Sequence, residues 1–192
     1  MSLILGIDPG ASGAFALYDS ASRLLVDIED MPIWTLTTAK SKRSRVDSVA
    51  LAEMFDNYRF LGVELCVIER VGGRTGQSAS AAYVFGYGVG LLYMAATMCK
   101  LPIETVPPGN WKALMGVPGK QKADDSAILQ RADEMFPHNR ELFRGPQGGK
   151  KIDRAEAAML ARFGAEHMLP KLQQGERGDA EHELAYHYGS AK

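Results

Sequence analysis

Four acids in this sequence have the spacing to do chemistry together: Asp8, Glu69, Asp153 and Glu156. Asp8 closes the apolar run Leu3-Ile4-Leu5-Gly6-Ile7-Asp8, and Glu69 closes a second, Val63-Glu64-Leu65-Cys66-Val67-Ile68-Glu69. If both runs are buried strands lying side by side and parallel, both carboxylates leave the same edge of the sheet. Ligand crevices of α/β sheets lie outside the carboxyl ends of strands. Asp153 and Glu156 are three residues apart in a segment of helical pattern, so they share one helix face. Four carboxylates in one place repel one another unless cations neutralise them. An oxygen-only donor set suits Mg²⁺ or Mn²⁺ rather than zinc. Two such ions can activate water and stabilise the leaving oxygen of a phosphodiester. Each acid also has a plainer reading. Strand-end acids often only form turns, and Asp153 with Glu156 matches the cap and third-position acid of a capping box. From local pattern alone, the capping box is the better reading of that pair.

The elements that must position these acids follow from periodicity and punctuation. Residues 3–8, 13–19 and 24–29 read as three short strands, with a tight turn at Pro9, Gly10 and Gly13 and a second near 20–23. Residues 31–45 read as a polar, basic, mobile loop. A helix is predicted over 47–59, with Asp47 as N-cap, and a strand over 63–69. Residues 71–77 are Gly-rich. A long, mostly buried helix is predicted over 78–98, where small residues at 82, 86 and 90 give a face for close approach. A strand over 101–106 is stopped by Pro107-Pro108. Helices follow over 109–115, 123–136 and 153–167, separated by loops over 116–121 and 137–150. The order predicts an α/β domain: a five-stranded mixed sheet, a meander plus parallel strands, with helices on both faces.

Composition narrows the class. The chain has 192 residues, 46% hydrophobic and 23% charged, which fits one domain with its own core. Residues 1–168 are read as that domain and 169–192 as a polar tail. Cys66 and Cys99 have no CxxC partner and read as buried thiols in a reducing compartment. No signal peptide and no apolar run of about 18 residues is recognised, so a cytoplasmic protein with no membrane partner is expected (host cytoplasm if phage-encoded). The formal net charge is −1, unlike a strongly basic nucleic-acid binder, but an acidic metal cluster would lower that figure. Cations are concentrated locally. Lys40, Lys42, Arg43 and Arg45 fall in a stretch with no acid among them and are candidates to grip phosphates, or else a solvated loop. Arg70 and Arg74 flank the second acid, within reach of DNA or of surface acids. Arg140, Arg144, Lys150, Lys151 and Arg154 form a second basic concentration. Trp111, Tyr83, Tyr87 and Tyr93 read as core or dimer-interface residues.

Taken in order, these motifs resemble the RuvC-type Holliday-junction resolvases of the ribonuclease H-like superfamily. Ile4-Leu5-Gly6-Ile7-Asp8-Pro9-Gly10 is similar to that family's first catalytic strand, and Val67-Ile68-Glu69-Arg70-Val71 to its second acidic strand. Ser78-Ala79 through Gly90 resembles the helix that follows. Asn110-Trp111-Lys112 and the loop over 116–122 resemble the lysine-bearing segment. Asp153-Arg154-Ala155-Glu156-Ala157-Ala158 resembles the closing Asp-x-x-Asp-Ala helix. The resemblance spans about residues 3–167. It implies that Asp8, Glu69, Asp153 and Glu156 bind metal and are catalytic. It also implies that Lys112 and Lys122 lie near the scissile phosphate, with Lys120 competing for the loop role. A homodimer would place two sites on a four-way DNA junction and hydrolyse strands of like polarity with Mg²⁺ or Mn²⁺, two ions per site. The sequence departs from the family in two places. Glu156 stands where Asp is common, and Gly72-Gly73 follow Val71 where an aromatic residue often stands.

Other functions share parts of this pattern. A sugar kinase or actin-like phosphotransferase also opens with Gly-Ile-Asp-x-Gly, but needs two related domains, and 192 residues are too few. A ribonuclease H-like nuclease acting on flaps, hybrids or other structured nucleic acid would use the same acids. A DNA-binding module without activity would not need all four.

Overall fold

A computed structural model describes residues 2–37, 42–72, 76–117, 125–145 and 148–175, with Lys42 and Arg43 described in their backbone alone. Three strands, β1 (Leu3–Asp8), β2 (Ala14–Asp19) and β3 (Leu24–Asp30), form an antiparallel meander. The strands β6 (Val63–Glu69) and β7 (Ile103–Val106) extend the sheet in parallel from β1, giving the order β3-β2-β1-β6-β7. This is the mixed five-stranded sheet predicted from the sequence. A further hairpin of β4 (Ile33–Thr37) and β5 (Lys42–Val46) stands apart from it.

Helices cover both faces of the sheet, as expected. One face carries α1 (Ser48–Leu61) and α2 (Ala79–Met98), whose Leu51, Phe55 and Leu92 pack on Leu3, Leu5, Ile7, Phe15 and Ile68. The other carries α3 (Pro108–Leu114), α4 (Asp125–Met135) and α5 (Ile152–Phe163) over Ile4, Ala14, Ala16, Leu65 and Val67. Alternate residues of β1 therefore serve two cores, as a strand buried on both faces requires. The Asp47 carboxylate accepts from the amides of Val49 and Ala50, so the expected N-cap of α1 is present. Beyond α5 the helix passes through a π-helical turn (Gly164–Met168) into α6 (Leu169–Gln173).

The loop over 137–150 contains a 3₁₀ turn (Arg140–Phe143) that buries Phe143 completely. The Arg144 guanidinium pairs there with Asp133, while Lys151 and Arg154 both pair with Asp30 at the end of β3.

Several expectations are corrected. In place of the loop that the sequence predicts over 31–45, residues 33–37 and 42–46 pair as a hairpin in which Thr35 hydrogen-bonds Ser44 at 2.9 Å. The β-branched and aromatic residues Ile33, Trp34 and Thr35 suit a strand; the run of cations downstream hides that signal. The helix over 79–98 is not mostly buried: only Gly88, Leu92 and Ala96 are, while Tyr83, Tyr87, Met94 and Met98 are exposed. Its length and composition would suffice for a membrane span, contrary to the expectation that no run qualifies. A Cβ at Gly86 or Gly90 would meet nothing within 4 Å among the described residues, so they leave that face open. The close approach is instead at Gly88, where a Cβ would sit 3.0 Å from Val46. Cys66 is buried as expected, but Cys99 only partly.

Candidate active site

The site is built by one strand and one helix that meet almost without side chains between them. A Cβ on Gly6 would collide with the carbonyl oxygen of Ala157 and the amide nitrogen of Ala161. Gly164 is packed as tightly against Val67 and Ile4. Helix α5 therefore lies on the Ile4–Gly6–Asp8 face of β1 and runs against the strand's direction. Residue 164 stands over Ile4, and residues 157 and 161 over Gly6. Asp153, one turn before 157, and Glu156, the residue directly before it, arrive at Asp8. The helix also removes the plainer reading of the pair. Its cap position is Lys151 with no capping side chain, so Asp153 is not the N-cap.

Glu69 reaches the same place from the neighbouring strand. Ile7 pairs with Ile68 in the parallel ladder, so Asp8 and Glu69 are the next residues out of the sheet. Glu69 in turn pairs with Val106, whose strand leads into α3 at the same edge. From α3, the buried Trp111 donates its indole N–H to Glu69 Oε1 at 2.9 Å. Lys112 donates to Glu156 Oε1 at 2.6 Å and stands 4.0 Å from Glu69 Oε1. Ser12, in the turn after β1, lies 3.4 Å from Asp153 Oδ1. The turn itself is tight: a Cβ on Gly13 would overlap the Asp8 carbonyl, and Gly10 has φ +132°.

The acids stand within electrostatic reach of one another. The Asp8 carboxyl is pushed up to about 9, first by burial and then by the charges of Glu156, Asp153 and Glu69. Glu156 is also raised, again first by burial, while Lys112 pulls it back down. Among the described residues, no three His, Cys, Asp or Glu side chains already stand at the spacing of a closed metal cage. The Lys112 ammonium lies between Glu156 and Glu69 instead. The donor set still fits a hard divalent cation: all oxygen, mostly buried, and carrying more negative charge than one lysine offsets.

The cations named from sequence scatter. Lys112 joins the acids. The Arg70 Nη2 turns onto Thr105 Oγ1 of β7 at 3.3 Å, and its Nε is buried without a partner among the described residues. Arg45 lies on β5, away from the acids in sequence and half-buried. Lys40, Arg74, Lys120 and Lys122 lie outside the described residues, as do the side chains of Lys42 and Arg43. Sequence reasoning missed Trp111 as a partner of Glu69: its position beside Lys112 was a signal, but a tryptophan in an apolar context reads as core. It also missed Asp30, which anchors Lys151 and Arg154 on either side of Asp153.

No family model matches the sequence, and no curated protein matches it. Solved structures do. Thermus thermophilus RuvC in complex with a Holliday-junction substrate superposes with a TM-score of 0.59 at 14% identity, covering 92% of this chain and 98% of that one. Another Thermus thermophilus RuvC structure gives a TM-score of 0.49 at 14% identity, covering 85% and 95%. With its mixed sheet, its flanking helices and its likeness to the junction-bound structure, the chain has the RuvC-like, ribonuclease H-like fold.

Proposed function

We propose that this chain is a divalent-metal-dependent endonuclease that resolves four-way DNA junctions by paired phosphodiester hydrolysis. The observation that carries the proposal is the convergence of Asp8, Glu69, Asp153 and Glu156, with Asp8 pushed up to about 9 by burial and then by the charges of the other three. Buried carboxylates that oppose one another are costly, and such arrangements concentrate at functional sites. The likeness to a junction-bound RuvC favours branched DNA as substrate.

Within this proposal the four carboxylates would hold Mg²⁺ or Mn²⁺, and the bound cation would supply activation of water and charge stabilisation for the leaving oxygen. Trp111 fixes the rotamer of Glu69 through its indole N–H. Lys112 offsets part of the negative charge and offers an ammonium to a phosphate. Paired cutting needs two sites, hence two copies of the chain. The open face of α2, with Tyr83 and Tyr87 stacked at 6.3 Å between ring centroids and Met94 beyond them, supports self-association there.

The test is a panel of four-way junction, flap, plain duplex and RNA–DNA hybrid, each with Mg²⁺ and with EDTA. The junction should be cut fastest, symmetrically, and only with Mg²⁺. Equal cutting of plain duplex would remove the junction reading and leave the nuclease. Preference for flap or hybrid would reassign the substrate. Undiminished cutting in EDTA would remove the metal.

A further inference from the structure

The β4–β5 hairpin is an extension that the sheet does not need. It shares no ladder with the five-stranded sheet, yet it springs from the edge that carries the acids. Asp8 pairs with Ala14, and Ala14 with Asp30, the last residue of β3. The hairpin begins three residues later. Its root is fixed on both sides: Met31 donates its amide to Gly13 in the turn after Asp8, and Asp47 donates to Pro32. Asp30 is itself clamped by Lys151 and Arg154, which flank Asp153.

The register gives the hairpin two unlike faces. Ile33 pairs with Val46 and Thr35 with Ser44, and Val46 is buried against Gly88 of α2. Val46 packs that face on the body of the protein, while Ile33 and Thr35 on the same face are themselves exposed. Trp34 pairs with Arg45 and Leu36 with Arg43, so those four positions share the opposite face. Trp34 is 44% exposed and Leu36 52%. Arg45 makes no ion pair among the described residues. Between residues 33 and 46 the sequence has four cations and no acid, in a chain whose net charge is −1. An exposed indole and an arginine on one strand-register face, within a locally cationic segment, match the chemistry of unpaired nucleic acid: stacking for a base and positive charge for its backbone.

We infer that the outer face of this hairpin, Trp34 with Leu36 and Arg45, is a docking surface for unpaired bases of a DNA strand beside the active site. Trp34 stacks on an exposed base and Arg45 meets the adjoining phosphate. Fully paired duplex offers no free base face, so the surface favours branched or opened DNA. The inference rests on the nuclease reading for its substrate, but its test does not depend on cutting.

The full chain and its Trp34→Ala, Trp34→Phe and Arg45→Ala variants are titrated by fluorescence anisotropy in Ca²⁺ against a four-way junction, a duplex and a single-stranded oligonucleotide. Trp34→Ala should weaken binding of single strand and junction by about five-fold or more, with duplex much less affected. Trp34→Phe should restore most of that loss. Arg45→Ala should weaken all three and lower the slope of log affinity against log salt by about one. The two tryptophans give a second readout. Trp111 is fully buried, so acrylamide quenching reports mainly on Trp34, and single strand should protect it. Unchanged single-strand affinity in Trp34→Ala, an equal loss on duplex, or no protection from acrylamide would overturn the inference. So would dissociation of a dimer by Trp34→Ala, which would make this face an interface between copies. A wild-type chain that shows no junction preference would count against the proposed function, while the single-strand titration would still decide the hairpin.

Discussion

Asp8 is a carboxylate held where water is scarce and three other carboxylates oppose its charge. Its ordinary value is 3.8; in the folded chain it is about 9. A raised folded-state value means that the proton favours the fold. The group's contribution is complete below about pH 3.8, declines as pH rises and is lost above about 9. Asp8→Asn is neutral throughout, so without divalent cations it should melt higher than wild type at pH 8, by ~1–2 kcal/mol or roughly 2–8 °C. Melting curves from pH 5 to 9 should show a shallower decline in the variant; an unchanged melting point at pH 8 would contradict the burial of that charge. Trp111 acts one contact further out. Trp111→Phe keeps the ring buried and removes the N–H that orients Glu69. Cleavage should fall about 10- to 100-fold in kcat or metal affinity, with folding and DNA affinity retained. Full activity would make Trp111 core alone.

At the scale of elements, the site depends on how closely α5 can lie on β1. Gly6 has no room for a methyl group beneath Ala157 and Ala161, so Gly6→Ala must lift the helix or bend the strand. The expected cost is ~1–3 kcal/mol, measured by urea unfolding. Metal-dependent activity should be lost even where the variant remains folded, because Asp153 and Glu156 move with the helix. A variant as active as wild type would show that the acids are not placed by this contact. The sheet elements were legible because their signals are strong: Leu3–Asp8 and Val63–Glu69 are continuous apolar runs ending in acids. Asp47 announced α1. The hairpin was not legible, since Trp34 and Leu36 pack on no core and the cations after them read as loop. Burial of α2 was misjudged for a related reason. Ala, Leu, Met and Tyr suit a core helix and an uncovered one equally well, and the sequence does not say which face meets a partner.

At the scale of the molecule, the placement of the acids was legible through order: two strand ends and one helix, brought together by a parallel crossover and a helix that returns over the first strand. The partners Trp111 and Asp30 were not, because each lies far in sequence from the acid or cations it serves and carries no local pattern. The same topology puts the hairpin root, the acids and the start of α2 at one edge, so a DNA strand crossing that edge would meet all three. The central role of Asp8 is tested most directly by separating binding from cutting. Wild type and Asp8→Asn are compared on one four-way junction, with affinity measured in Ca²⁺ and single-turnover cleavage in Mg²⁺. Junction affinity should stay within a few-fold of wild type, and cleavage should be abolished in the variant. Cleavage by Asp8→Asn at the wild-type rate would contradict it.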